Sequence, residues 1–454
     1  MSVKTDQWID EHFEDLLEQT RAIVRIPSVQ GPAIEAAPMK PPVQPGFPPT
    51  PAIPSSPYGK EVRQAEDYML KVAGMYHGFE THENEGLYCY VDAGKEEGVE
   101  KEMLGIVCHL DVVPEGTGWD HPAFSSDLVG DKIIGRGTVD DKGPAMAALH
   151  ALKAVRDCGY KFKRQVRLIY GLNEETGMRC IDEYCKAERI PDIAFTPDGS
   201  YPVCNSEFGI CHAVFKKEYK SGIVFKSGVA ANVVPPEAVA TVNGKEYKTT
   251  GVQTHASTPW EGENAAQKMI KLLAGLKDLN EADAAVLKVL DAHLGEGYNG
   301  EGFDLFYEDA TGKQTLNLGL VDWNEDGFRI TLDLRCPSAV KEETVKEKLC
   351  KAFDECGAVL ESFNFSEGYY LSEDSEVVSK LMKVYQDRTG DKDSKPIVMG
   401  GGTYARHLPN CVSFGPEGYM DVCTCHIPNE YISFDQLKFT CKMIADAIIA
   451  LACE

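Results

Sequence analysis

Apolar residues recur at helical spacing near the start of the chain, at Trp8, Ile9, Phe13, Leu16, Leu17, Ile23 and Val24. This spacing predicts one amphipathic helix, stopped at Ile26-Pro27 because proline cannot continue a helical ladder. From Pro38 to Pro57 the density of proline excludes both helix and central strand and predicts an extended surface loop. Three short β-rich runs follow, Met103-Leu-Gly-Ile-Val-Cys, Gln165 to Leu172 and Ile193 to Thr196, each suited to a strand buried on both faces. Between the first two, a helix is predicted to open at Gly143-Pro144, turn Met146, Leu149, Leu152 and Val155 inward, and stop near Gly159. Strand, helix, strand in this order implies a parallel sheet with a right-handed crossover.

The pattern changes from about Phe208 to Tyr369, where alternating segments such as Gly327-Phe-Arg-Ile-Thr-Leu-Asp-Leu-Arg intersperse with helical ones such as Asn264 to Leu276. The expectation is an α/β protein in which residues 1–207 and 370–454 build one discontinuous domain, with a mixed, largely parallel sheet flanked by helices. Residues 208–369 form an inserted α+β domain. Beyond the insertion, Ser375 to Thr389 is helical in pattern and Gly400-Gly-Gly-Thr leads towards a strand at Val412-Ser-Phe. The last helix opens with Ser433 three residues before Gln436, the spacing of a capping box.

Composition narrows the function. At 454 residues the chain exceeds what one hydrophobic core usually serves, in keeping with two domains. Its net charge of −25 repels nucleic-acid backbones and anionic membranes, so neither is an expected partner. Met1 to Glu14 lacks an apolar signal core and Met443 to Cys453 is too short to span a bilayer, which together predict a cytoplasmic protein. The 15 cysteines are scattered without a Cys-x-x-Cys pair and are expected to be reduced thiols. The one tight cluster is Cys423-Thr-Cys425 beside His426, where thiolate ligation competes with the commoner role of cysteine as a small buried apolar residue.

Acids and imidazoles collect just past the predicted strands or just before a helix. His109-Leu-Asp111 follows the first strand; alone, such a pair is more often structural, but Asp111 is placed to accept the second ring N–H of a metal-bound His109. Asp140-Asp141 stands at a helix entrance, where capping explains one aspartate and a carboxylate shared by two cations about 3.5–4 Å apart explains the other. Glu174-Glu175 ends the second strand; two adjacent acids at a buried mouth are unfavourable unless a cation compensates or one holds a proton. That suggests one metal ligand and one proton carrier. Asp198, in Thr-Pro-Asp-Gly, and His426 are unremarkable singly and complete a nitrogen and oxygen set suited to zinc, manganese or cobalt.

In their order along the chain, the blocks His109-Leu-Asp-Val-Val-Pro-Glu-Gly, Gly137-Thr-Val-Asp-Asp-Lys-Gly-Pro, Asn173-Glu-Glu-Thr-Gly, Gly400-Gly-Gly-Thr-Tyr and His426 to Glu430 resemble those of the dinuclear-zinc peptidases and amidohydrolases that include aminoacylase and carnosinase. The PepV-type bacterial dipeptidases are the most similar branch. The resemblance implies two Zn2+ per subunit, with Mn2+ or Co2+ as alternatives. His109 and Asp198 would hold one, Glu175 and His426 the other, and Asp140 would bridge. It makes Glu174 the general base, Asp111 the support of His109, and the Asp140–Asp141 peptide cis. In the inserted domain, taken as a lid, it matches His255 to an oxyanion-stabilising histidine and Asn232 and Arg335 to substrate-binding positions; beyond the insertion it matches Gly401 and Thr403 to further substrate-binding positions.

Asp at position 198 resembles the peptidases more than the deacylases, so the implied activity is hydrolysis of free dipeptides; an inserted segment long enough to fold over its own site, as in the PepV-type enzymes, implies a monomer, with a dimer as the alternative. The rival readings are an N-acyl amino acid deacylase of the same family and an inactive, metal-stabilised binding protein. Cys108 and Cys425, each just before a histidine, and the long proline-rich loop depart from the family pattern.

Overall fold

The computed structural model describes residues 2–37, 54–295 and 297–454. The proline-rich loop expected at 38–57 therefore falls, over 38–53, outside the described residues. The chain divides into two compact units. The first comprises 1–205, 371–397 and 403–454, and the second 206–370 and 398–402.

The first unit is built on a sheet whose strands run in the order β1 (Glu80–Asn84), β2 (Tyr88–Ala93), β4 (Gln165–Gly171), β3 (Met103–His109), β5 (Ile193–Thr196) and β6 (Cys411–Ser413). β4, β3, β5 and β6 are mutually parallel, and β1 and β2 add an antiparallel edge. The three sequence-predicted strands are therefore present and adjacent, with Met103 opposite Gln165 and Leu104 opposite Ile193. Each is buried along its whole length, which explains why they read as unbroken apolar runs rather than alternating ones.

The crossover between β3 and β4 is the helix Lys142–Asp157. It is buried on nearly every side, and its alanines (Ala145, Ala147, Ala148, Ala151 and Ala154) let it approach both the sheet and the C-terminal helix Phe434–Ala452 closely. The N-terminal segment differs from expectation. It forms two helices, Val3–Glu11 and Phe13–Val24, broken at His12. His12 leaves helical geometry at φ −111°, its ring stacks on Trp8 at 3.9 Å, and its Nδ1 donates to the Trp8 carbonyl at 2.7 Å. A side chain that bonds back to the preceding turn competes with the helical ladder there, although the apolar spacing runs through the break without a sign of it.

The second unit is an antiparallel seven-stranded sheet in the order 245–250, 237–242, 223–227, 315–324, 327–336, 209–218 and 359–366. Its strands alternate in burial, as in Ile223–Ser227, and the apolar face shares one core with the helices Ala265–Ala274, Glu281–Leu294 and Glu342–Asp354. Val398–Gly402 also belongs to this unit, where the sequence reading had left it with the first domain. The Phe208 amide donates to the Met399 carbonyl at 3.2 Å and Arg335 Nη1 donates to the Gly400 carbonyl at 3.0 Å. These tertiary hydrogen bonds are invisible in a glycine-rich tripeptide. Among the described residues no helix is long and apolar enough to cross a membrane, and no cysteine forms a disulfide.

Candidate metal centre

Because β3, β4, β5 and β6 are parallel, their carboxyl ends share one edge of the sheet, and each is followed within a few residues by an acid or imidazole. His109 is the last residue of β3, fully buried, and its amide donates to Asp141 Oδ2 at 3.0 Å. Its Nδ1 donates to the main-chain carbonyl of Asp111 at 2.9 Å, which orients the ring so that Nε2 faces Asp140 Oδ1 at 2.8 Å. The Asp111 carboxylate, expected to orient this ring, lies 3.6 Å from it, too far for a hydrogen bond. It accepts instead the amides of Glu174 and Glu175 at 3.0 and 3.1 Å. Asp111 thus supports the ring through its backbone and the glutamate loop through its side chain.

Asp140 spans the two imidazoles. Oδ1 faces His109, while Oδ2 lies 2.9 Å from His426 Nε2, which is also 3.2 Å from Glu175 Oε2. Asp198 Oδ2 is 3.8 Å from His109 Nε2. One ligand atom each of His109, Glu174 and Asp198 lies within a 4.8 Å sphere of mutual distances, and the same holds for His109, Asp140 and Glu175. The residues predicted as ligands are thereby brought together in the first unit. The Asp140–Asp141 peptide is cis, as the resemblance implied. Capping does not explain these aspartates: Asp141 occupies the N-cap position but makes no capping bond, its carboxylate being turned to the His109 amide.

Two carboxylates were given no role in the sequence reading. Glu430 is fully buried; its Oε1 accepts the amides of Gly137, Val139 and Asp140, and its Oε2 accepts Arg136 Nη1 at 2.7 Å. It therefore sets the backbone that presents Asp140. Glu417 lies within ligand distance of Asp140 and Asp198. The available signal was positional, since Glu417 follows β6 as Asp198 follows β5.

Electrostatics show what this cluster requires. Burial first, then the neighbouring Asp198, pushes Glu174 well above the usual carboxylate range. Burial and Asp140 do the same to Asp198, and they also raise Glu175. Asp140 moves the other way: His109 and His426 outweigh its burial and hold it below its ordinary value. Hydrogen bonds to Asp140 and Glu175 raise His426 to about 11, and against the opposing effect of burial the acids around His109 raise it well above the ordinary histidine value. Among the described residues, no Lys or Arg forms an ion pair with Asp140, Glu174, Glu175, Asp198 or Glu417. Protons on two imidazoles are then the main positive charge amid five acids, an arrangement that a pair of divalent cations fits far better. The clusters are compatible with a dinuclear metal site.

Five candidates remain. Thr403 is buried in the first unit, with its hydroxyl 3.1 Å from Ser413 Oγ and accepting the Ala405 amide. Asn232, His255, Arg335 and Gly401 belong to the second unit. There Val233 bridges His255, and the Asn232 carbonyl accepts the Ala256 amide at 2.9 Å. Arg335 is buried and clamped by Asp333, Nε to Oδ1 at 2.9 Å and Nη2 to Oδ2 at 3.0 Å. Burial first, and then the charge of Arg335, lowers the His255 pKa and favours its neutral ring.

Residues 105–450 match peptidase family M20/M25/M40. A Staphylococcus haemolyticus protein provisionally named a dipeptidase is 32% identical over 440 residues, covering 88% of this chain and 92% of its own. The Bacillus subtilis protein YtjP, provisionally named likewise, is 31% identical over 480 residues and covers 97% of each chain. In fold, the chain is similar to an M20 family metallo-carboxypeptidase from Sulfolobus solfataricus, with a TM-score of 0.58 at 18% identity over 96% of this chain and 98% of that one. A family match over most of the sequence, relatives above 30% identity along nearly its full length, and an acid–imidazole cluster at the carboxyl ends of a parallel sheet lead to one conclusion: the chain belongs to peptidase family M20/M25/M40.

Proposed function

We propose that this protein is a dinuclear metal-dependent dipeptidase of the PepV type, acting on free dipeptides in the cytoplasm. The observation that supports it most is the Asp140 carboxylate set between His109 and His426, with Glu175 beside one imidazole and Asp198 beside the other. His109 with Asp198 would hold one ion, His426 with Glu175 the second, and Asp140 both. The donors, imidazole nitrogen and carboxylate oxygen, suit Zn2+, with Mn2+ or Co2+ as alternatives. When bound, the ions supply Lewis acidity and lower the pKa of water towards about 7.

Glu174 is the proton carrier in this reading. Its carboxylate faces His109 and Asp198, and its raised pKa suits a group that takes a proton from water and returns it to the leaving amine. His255, neutral in its surroundings, would donate to the developing oxyanion. Arg335 would bind the substrate carboxylate with the N–H groups that Asp333 and Gly400 leave over, and Asn232, Gly401 and Thr403 would position the remainder.

The test is Glu174→Gln. Metal analysis should still find two equivalents, while dipeptide turnover falls by roughly 10²–10⁴-fold. Retained turnover, or loss of metal, would remove Glu174 from the role of base. A parallel panel of free dipeptides and N-acyl amino acids separates the dipeptidase from the deacylase; preference for the acyl compounds overturns the substrate assignment.

A further inference from the structure

We propose that Glu417, Cys423 and Cys425 form a third cation site, suited to a zinc-class thiophilic ion, on the segment that also carries His426. One ligand atom from each of the three lies within 4.8 Å of the others. Three ligands on one tetrahedral zinc stand about 3.5–4 Å apart, so small side-chain rotations close the set. The two cysteines flank Thr424 where the chain enters a turn, and their sulfurs lie within 4.8 Å of each other.

Independent contacts hold both halves of the site. Between the cysteines, the buried Thr424 hydroxyl accepts the Tyr431 amide at 3.2 Å. On the Glu417 side, Gln436 Nε2 donates to the carbonyls of Pro416 and Tyr419, each at 2.9 Å. Glu417 turns towards Asp198 and, among the described residues, no Lys or Arg forms an ion pair with it. A half-buried carboxylate beside other acids and two thiols, with no Lys or Arg paired to it among the described residues, is an incomplete charge arrangement that a metal ion completes.

The chemistry differs from that of the neighbouring centre. Imidazole and carboxylate donors accept Zn2+, Mn2+ and Co2+ alike, whereas two sulfurs select Zn2+, Cd2+ or Cu+ against Mn2+. Packing does not explain these thiols as it does Cys89 or Cys108, which are wholly buried, because Cys423 is exposed. Glu417 also lies within ligand distance of Asp140 and Asp198, so an ion held here shares a carboxylate neighbourhood with the dinuclear centre. Three protein ligands leave a fourth position open.

The experiment uses the full chain with its centre first filled by two equivalents of Zn2+, then titrated with Cd2+ under reducing conditions. The expected result is a third equivalent of bound metal accompanied by sulfur-to-cadmium charge-transfer absorption in the ultraviolet. C423S/C425S should bind two equivalents and lose that absorption, and E417Q should retain it with weaker binding. No charge transfer in the wild-type protein at saturating Cd2+ overturns the proposal, as does a band that survives in C423S/C425S. A Cys423–Cys425 disulfide in protein purified with reductant overturns it too. One equivalent with the band and none without it would leave this site standing while removing the dinuclear reading.

Discussion

Glu66 shows how far a single side chain departs from what its neighbours in sequence suggest. It lies on the helix Lys60–Gly74, which packs on the β1–β2 edge, and is wholly buried with neither carboxylate oxygen hydrogen-bonded within the protein. Burial raises its pKa to about 8, and Arg63, 3.4 Å away, opposes this only in part. The folded state therefore keeps the Glu66 proton to higher pH than the unfolded chain does. Stability is favoured below the unfolded pKa near 4.5 and is lost as pH rises through about 8. Glu66→Gln, which mimics the protonated group, should stabilise the protein by about 3 kcal/mol near pH 7 and little near pH 4. Urea unfolding at the two pH values checks this, and equal gains at both would exclude ionisation as the cause. At the candidate centre, the donor types were legible because His109, Glu174, Glu175 and Asp198 stood past recognisable strands and Asp140 stood at a helix entrance. The partner of the His109 ring was not, because carboxylate and carbonyl of Asp111 are the same residue in a sequence and differ only in geometry.

Among the elements, the C-terminal helix is the most informative. Ser433 does cap it, accepting the Gln436 amide at 3.2 Å, but Gln436 does not return the bond as a capping box would. Its side chain reaches instead to the Pro416 and Tyr419 carbonyls and anchors the segment bearing Glu417. Gln436→Ala should therefore cost roughly 2–4 kcal/mol by leaving two carbonyls unpaired, against about 1 kcal/mol for Ser433→Ala. Thermal denaturation of the two variants tests the ranking, and equal losses would restore the reciprocal box. Strands buried on both faces were easy to recognise from short β-branched runs. The break at His12 was not, since it depends on a ring stacking on Trp8 rather than on a change of apolar period.

At the scale of the whole molecule, the acidic cluster is expected to make stability depend on cations. Five carboxylates with two imidazoles and, among the described residues, no Lys or Arg paired to them repel one another once the imidazoles lose their protons. Each site filled at 100 times its Kd adds about 2.7 kcal/mol, so chelation at neutral pH should lower the melting temperature by several degrees and Zn2+ should restore it. Calorimetry with and without chelator checks this; an unchanged transition would mean that the cluster tolerates its charge unaided.

Periodicity, length and strand-end acids were enough to determine the α/β class, the change of character near Phe208 and the donor types at the centre, because those follow from local burial patterns and from where parallel strands end. Only the folded chain decided that Asp140 reaches both imidazoles, that Glu430 and Glu417 serve residues 290 and 219 positions away, and that Val398–Gly402 joins the second unit. Those pairings join residues far apart in the chain by single hydrogen bonds or shared charges, and neither leaves a period in the sequence.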